Sequence, residues 1–111
     1  MAYSRKLLYE TLRSRDSATF TGSYQTLGGP LLHPCSLIKL VNNSSVLVTI
    51  SIDGISDVDV APGTSFWLYD VTSDSPPESG SIFIPQGTQY YVKGSASTGL
   101  VYLVVQYVQQ V

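Results

Sequence analysis

The sequence of 111 residues has very little of what catalytic and metal-binding sites are usually built from. It contains one cysteine and one histidine, Cys35 and His33. A single cysteine cannot form an internal disulfide, so the fold does not depend on oxidation. A structural zinc site usually has four Cys or His ligands, and a catalytic cysteine needs both a base and an orienting group. We therefore expect no enzyme activity, no metal and no cofactor, with Cys35 as a small buried thiol.

Charge is also scarce, at 13% of residues, about half the usual share, and the net charge is −2. Nucleic-acid-binding domains are usually basic, so we expect no specific nucleic-acid partner. No apolar run approaches the roughly 20 residues of a membrane-spanning helix, and no signal-peptide pattern follows the basic start. We expect no membrane contact and a protein that is made and kept in the cytoplasm or assembled there. A surface so poor in charge suits contact with other protein.

The stretch from Leu37 to Gly54 has the clearest pattern of secondary structure. Residues 46–53 alternate between a purely apolar face and a more polar one, which is the period of a half-buried strand. Residues 37–41 form a second candidate strand, and residues 42–45 between the two have the composition of a turn. Asp53-Gly54 predicts a further reversal. These patterns predict a hairpin at the centre of an antiparallel sheet.

The remaining chain predicts further short strands separated by Gly, Pro and polar turns. In all, about eight strands follow one another at intervals of roughly 8–12 residues, which is typical of a sandwich or small barrel. Residues 64–71 and 100–108 carry bulky or apolar residues on both faces, so we expect both strands to be covered on two sides. Residues 72–80 form the longest predicted loop. We predict an all-β antiparallel sandwich or jelly-roll-like domain over residues 17–111, with a core of Val48, Ile50, Phe66, Leu68, Val92, Leu103 and Val105.

Residues 1–16 are the one part of the chain without a strand pattern. They contain a thin helical stripe of about three turns at most, so we expect an N-terminal arm or a short helix. The segment carries a charge of +2 (four basic and two acidic residues), and the rest carries −4 (two basic and six acidic residues). We predict a homo-oligomer in which this arm contacts a neighbour and pairs with carboxylates such as Asp57 or Asp59. The candidate partner-contact residues are Arg5, Lys6, Leu8, Tyr9, Leu12, Arg13 and Arg15.

Two other kinds of site stay open. Asp53, Asp57 and Asp59 lie near one turn, and clustered carboxylates can bind Ca²⁺, although their spacing does not match the EF-hand loop and turns need Asp and Gly for backbone reasons. Eight tyrosines and Trp67 on a sheet would stack sugars, although aromatics in the middle of a strand more commonly pack in a core. A glycan-binding module that uses exposed aromatics is therefore the alternative function.

Four stretches resemble small β-rich structural proteins of tailed bacteriophages: FTGSYQTLGGPLLHP, IKLVNNSSVLVTISIDG, VAPGTSFWLYDV and FIPQGTQYYVKGSASTGLVYL. The resemblance covers about residues 20–107, and its motifs are turns and strand patterns. It implies a non-enzymatic virion structural protein, either capsid decoration (cement) or a head–tail accessory, with capsid, portal or tail components as partners. It also implies localisation in the virion after assembly in the host cytoplasm. The resemblance implies no role for any individual residue.

Overall fold

A computed structural model describes residues 5–70 and 84–110 of the chain. Over these residues the protein is all-β, as predicted, with two antiparallel sheets that form a small sandwich and one short 3-10 helix at Ser17–Thr19. The strands are β1 (Arg5–Tyr9), β2 (Arg13–Asp16), β3 (Gln25–Thr26), β4 (Leu37–Asn42), β5 (Val48–Ser51), β6 (Asp59–Ala61), β7 (Ser65–Asp70), β8 (Tyr91–Lys93) and β9 (Leu100–Gln110). The predicted loop at residues 72–80 lies outside the described residues.

The first sheet, sheet A, is organised around β9. Its order is β1-β9-β4-β7, and β2 pairs with the same edge of β9 as β1 does. β9 pairs with β4 over residues 101–106, with β2 over residues 100–103 and with β1 over residues 106–110. Among the described strands, β1 and β9 alone continue the ladder beyond Gln106, and the molecule measures 53 × 23 × 21 Å.

The second sheet, sheet B, has the order β3-β8-β5-β6. Asp53-Gly54 reverses the chain between β5 and β6 as predicted, and Gly54 adopts the left-handed conformation that favours glycine, with φ at 77°. The core lies between the two sheets. Ile50 and Val92 of sheet B and Leu40 of sheet A are all fully buried in it.

The predicted hairpin around residues 42–45 is wrong, although both of its strands exist. β4 lies in sheet A and β5 in sheet B, so the turn is a corner at which the chain changes sheets. Asn42 is fully buried at this corner. Its Nδ2 donates to the carbonyl oxygens of Val46, Ala61 and Pro62 at 2.8, 3.0 and 3.1 Å. Its Oδ1 accepts from the backbone N and the hydroxyl of Ser44 at 3.0 and 2.6 Å, so one side chain stabilises the whole corner.

The core prediction is confirmed for five residues and wrong for two. Val48, Ile50, Val92, Leu103 and Val105 are at most 1% exposed. The two wrong predictions are on β7, where Phe66 and Leu68 are 55% and 48% exposed. Trp67 instead lies opposite the buried Leu40 and packs against the core. Both faces of β7 carry large apolar residues, so the register with β4, and not the strand's own sequence, decides which face is inside.

Of the two alternatives that we gave for residues 1–16, an arm or a short helix, the helix is not found over residues 5–16. β1 and β2 are strands that pair with β9 of the same chain, so residues 5–16 form an edge of sheet A in this structure. Arg5 and Lys6 lie in β1 opposite Gln110 and Gln109. A helical stripe of a few turns is only a weak local preference, and a long apolar strand with a free edge overrides it. Contact of this segment with a second subunit stays a prediction.

Candidate interaction face

Sheet A is apolar on both of its faces, but the described chain covers only one of them. Along β9 the inner residues Val101, Leu103 and Val105 are buried, while Tyr102 and Val104 between them are partly exposed. We had expected both faces of β7 and β9 to be covered. Because side chains alternate across a strand, the uncovered side forms one continuous surface. This surface, the outer face of sheet A, comprises Leu37, Lys39, Val41, Phe66, Leu68, Tyr102 and Val104.

The outer face of sheet A differs sharply in composition from that of sheet B. On sheet B the exposed outer positions include the polar Thr49 and Lys93, together with Tyr91 and Val60, while Ser51 is fully buried. A sheet that faces water normally shows such polar residues on its exposed side. The outer face of sheet A therefore has the composition of an inner face, although it is open over the described residues.

Lys39 is the single charged residue at the centre of this face. It lies opposite Leu68 on one side and Val104 on the other, between the rows that contain Phe66 and Tyr102. Its Nζ lies 4.9 Å from the centroid of the Phe66 ring. A cation above an aromatic ring is attracted by the ring's quadrupole, which fixes the position of the charge. A partner that covers this face must therefore accommodate a positive charge within an apolar surface.

A groove of about 470 Å³ adjoins the outer face at the edge of β7. Trp67 and Tyr69 stack in it with ring centroids 6.2 Å apart, and Trp67 Nε1 donates to Asp59 Oδ2 at 2.6 Å. Tyr69 is 48% exposed. The remaining lining is mainly aliphatic, so the groove combines an aromatic wall with one carboxylate. Its other lining residues are Ile52, Val58, Leu68, Ile84, Pro85, Thr88 and Tyr90.

Two of the three apolar residues predicted for the N-terminal contact, Tyr9 and Leu12, lie beside the same face. Tyr9 is opposite Gln106, whose Nε2 donates to the Tyr9 hydroxyl at 3.0 Å, and Tyr9 is 62% exposed. Leu12, between β1 and β2, is 55% exposed, whereas Leu8 is partly buried. Tyr9 and Leu12 thus extend the open surface along β9. Nothing is described of the side chains of Arg5 and Lys6.

The two remaining arm residues, Arg13 and Arg15, bind their own chain. Arg13 donates to the carbonyl oxygens of Gly29 and Pro30 at 3.0 and 2.9 Å, and Arg15 donates to that of Thr26 at 2.7 Å. Both residues lie opposite buried positions of β9, so their side chains point to the inner side of the sheet. The structure therefore gives these guanidinium groups intramolecular partners instead of the carboxylates Asp57 or Asp59.

Sequence reasoning missed a buried carboxylate, Glu10. Its side chain is 1% exposed; Arg13 Nη2 lies 2.8 Å from Oε1, and His33 Nδ1 lies 2.7 Å from Oε2. The backbone N of Leu32 donates to both oxygens. Burial acts to raise the pKa of Glu10, but hydrogen bonds from His33 and Arg13 outweigh it and hold this pKa below its usual value. Nothing in the sequence around Glu10 distinguishes it from an exposed residue.

His33 and Cys35 flank this carboxylate without forming a reactive pair. The His33 ring stacks on Tyr107, with centroids 3.8 Å apart. Cys35 is fully buried, and its Sγ donates to the carbonyl oxygen of His33 at 2.9 Å. Burial, followed by the charge of Glu10, raises the pKa of the Cys35 thiol to about 12. A thiol with so high a pKa is a poor nucleophile, so this cluster is best suited to tie residues 29–35 to sheet A.

The three aspartates near the β5–β6 turn do not converge on one point. Asp53 accepts from Ser51 and from the backbone of its own loop. Asp57 lies beside the Tyr24 hydroxyl and 3.4 Å from Lys93 Nζ, and Asp59 accepts from Trp67. Within residues 5–70 and 84–110 there is no group of three or more His, Cys, Asp or Glu residues that could hold a metal ion.

Comparison of the chain with protein-family models, with curated proteins and with solved structures finds no match. No helix in the described part of the chain is long and apolar enough to cross a membrane.

Proposed function

We propose that this protein is a non-enzymatic structural protein of a bacteriophage virion, a capsid decoration protein or a head–tail accessory, which assembles as a homo-oligomer through protein–protein contacts. One observation carries the proposal: sheet A has the composition of a sheet that is buried on both faces, yet no part of residues 5–70 and 84–110 covers its outer face. A partner that packs on the outer face would complete the burial that the sequence is built for.

The size of the open face supports this interpretation. Three strands spaced about 4.8 Å apart and six residues of about 3.3 Å each give a surface of roughly 300 Å². The largest apolar patch of a monomeric protein is about 300–600 Å² and is often functional. Tyr9 and Leu12 extend the surface further. A patch of this size is therefore typical of a contact site.

Two features of the sequence support the virion setting. The low charged content leaves few residues that would need to stay hydrated at a contact, and the core of an interface is depleted in charge. The resemblance to phage structural proteins extends over most of the chain. The buried thiol of Cys35 and the intramolecular partners of Glu10 support a structural, non-enzymatic role.

The proposal can be tested by placing a charge on the outer face. Leu68→Asp would put a carboxylate in the middle of the contact, and we expect the protein to fold but to lose incorporation into particles by at least about tenfold. Val60→Asp is the matched control, because Val60 is 43% exposed on the outer side of sheet B. Incorporation is measured by quantitative protein blotting of purified particles, and folding by circular dichroism. Full incorporation of a folded Leu68→Asp protein would contradict the proposal.

The groove at β7 favours a second candidate function, glycan binding. Stacked Trp67 and Tyr69 beside the Asp59 carboxylate provide an aromatic surface and a hydrogen-bond acceptor, the two features that sugars need. Trp67 is the only tryptophan, so its fluorescence reports on the groove. Titration with glucose, galactose and N-acetylglucosamine should change this fluorescence in the wild type and much less in Tyr69→Ala. Unchanged fluorescence with all three sugars would count against binding of these sugars.

A further inference from the structure

The β5–β6 loop (residues 52–58) is a second exposed apolar surface, and its carboxylates have the opposite charge to Lys39 at the centre of the outer face of sheet A. Ile55 at its tip is 83% exposed, the highest value among the large apolar residues described. Ile52 and Val58 at its base are about half exposed. The loop also contains Asp53 and Asp57, and it contains no basic residue.

Hydrogen bonds within the loop hold it in one conformation. Asp53 Oδ1 accepts from the backbone N of Ile55 at 2.7 Å and of Ser56 at 2.8 Å. These bonds, with that from Ser51, lower the pKa of Asp53 to about 2, so its carboxylate is charged at neutral pH. Because the loop is held by its own hydrogen bonds, Ile55 and the Asp53 charge are presented together without a large cost of ordering on binding.

The loop cannot cover the outer face of sheet A in its own subunit. Gly54 lies against the Tyr91 ring, and Asp57 lies beside Tyr24 and Lys93. Tyr91 and Lys93 flank the buried Val92, so they are on the outer side of sheet B. The base residues Ile52 and Val58 line the groove beside Leu68, but the loop tip lies on the outer side of sheet B, on the opposite side of the sandwich from Lys39 and Val41. The loop tip of another molecule can reach that part of the face.

We infer that the β5–β6 loop of one subunit docks on the outer face of sheet A of the next, so that copies of this chain associate head to tail. This inference rests on the proposed function, because it names the occupant of the face described there. Ile55 would lie between Phe66 and Leu68, and the Asp53 carboxylate would approach Lys39. A contact between two identical outer faces is less favourable, because it would bring two Lys39 charges together in an apolar surface.

Head-to-tail contact between two different surfaces has a geometric consequence. It does not end at a dimer, but closes into a ring or continues as an open filament. Repetition of the contact around a ring also strengthens an assembly whose single contacts are small, since each subunit is held twice. A second copy of this chain is thus a suitable partner for a face of modest area.

Two variants, each with one damaged surface, test the inference. Leu68→Asp damages the face and keeps the loop, whereas Ile55→Asp damages the loop and keeps the face. We expect the wild type to form oligomers, each variant alone to be monomeric, and an equimolar mixture to form a dimer with one chain of each kind. Native mass spectrometry identifies this dimer when one variant is labelled uniformly with ¹⁵N, because the two unlabelled chains have the same mass. Ser95→Asp is the matched control, since it adds the same charge at an exposed position outside both surfaces and should assemble like the wild type.

Other outcomes would overturn the inference. If the Ile55→Asp protein assembles as well as the wild type, the loop is not what binds the outer face of sheet A. The same conclusion follows if the mixture of the Leu68→Asp and Ile55→Asp proteins stays monomeric. If Leu68→Asp does not fold, Lys39→Glu replaces it as the face variant. Particle incorporation separates this inference from the proposed function: if Leu68→Asp is lost from particles and Ile55→Asp is retained, the face binds a different protein and only the head-to-tail inference fails.

Discussion

Glu10 and Arg13 form an ion pair at 2.8 Å on the inner side of sheet A, although residues three apart in a regular strand point to opposite faces. The register explains the pair. Tyr9 lies opposite Gln106, but Arg13 lies opposite Leu103, so one extra residue is accommodated between them. Such a β-bulge re-aims side chains, and here it brings an acid and its partner to the same side.

The first prediction concerns the stability that depends on Glu10. Glu10→Gln preserves the shape but removes the charge that Arg13 and the Leu32 amide bind, and it leaves the buried guanidinium without its counter-ion. We expect a loss of about 3 kcal/mol in the free energy of unfolding, measured by urea denaturation. Ser14→Ala, at an exposed position of β2, is the control and should change it by less than about 0.5 kcal/mol. Equal stability of the two variants would contradict the assigned role of Glu10.

The second prediction is a dependence of stability on acid pH. The pKa of Glu10 is lowered in the folded protein, so the folded state binds this proton less readily than the unfolded state does. The corresponding stability is present above the ordinary value of 4.5 and is lost as the pH falls below it. The free energy of unfolding should therefore decrease from about pH 5 downward, and the decrease should be smaller in Glu10→Gln. If the free energy of unfolding falls with pH at the same slope in the two proteins, Glu10 contributes nothing to the loss of stability in acid.

Much of the sandwich was predictable from the sequence, because alternation in β5 and the apolar run of β9 are local properties. Which face of β7 points to the core was not predictable in this way. Phe66 and Leu68 are as apolar as Trp67 and Tyr69, so only the register with β4 distinguishes the two sets. The error was informative, since a strand that is apolar on both faces indicated a surface that the described part of the chain leaves open.

The N-terminal strands and the Glu10 cluster could not be predicted for a different reason. Glu10 binds His33, 23 positions later, and the strands on either side of Glu10 pair with the last described strand of the chain. Contacts at such separation leave no local pattern, and the bulge before Arg13 also interrupts the alternation. The single histidine and cysteine had drawn attention to residues 33–35, but the charged partner of that segment was not visible in the sequence.

The third prediction tests the corner at which the chain changes sheets. Asn42→Asp keeps the size of the side chain but removes the Nδ2 donor from the carbonyl oxygens of Val46, Ala61 and Pro62. Buried acceptors without a donor, together with a buried carboxylate, should destabilise the fold by at least about 3 kcal/mol. Asn43→Ala changes an exposed neighbour and should have little effect on thermal unfolding. If both variants unfold at the same temperature, the hydrogen bonds of Asn42 do not hold the corner.

The fourth prediction concerns the reactivity of Cys35. Its thiol is fully buried and its pKa is raised to about 12, so both access and the thiolate fraction are low. A colorimetric thiol reagent at mildly alkaline pH should therefore not react with the folded protein on the time scale of free cysteine. In denaturing urea the same sample should release one equivalent per chain, which is the internal control. Rapid reaction without denaturant would show that residues 33–35 open readily.

The fifth prediction tests the inner face of sheet B. Ile50 is fully buried opposite Val92, so Ile50→Asp would place a carboxylate in the core without a partner. Desolvation of an unpaired charge, together with the roughly 1.5–3 kcal/mol lost with the buried side chain, is comparable with the whole stability of a small domain, about 5–15 kcal/mol. We expect no soluble folded protein. Thr49→Asp is the matched control, because Thr49 points to the other face and lies opposite Lys93, where a carboxylate finds a cation. The soluble fraction after expression and the circular dichroism spectrum measure the outcome, and a folded, soluble Ile50→Asp protein would mean that the face of β5 is assigned incorrectly.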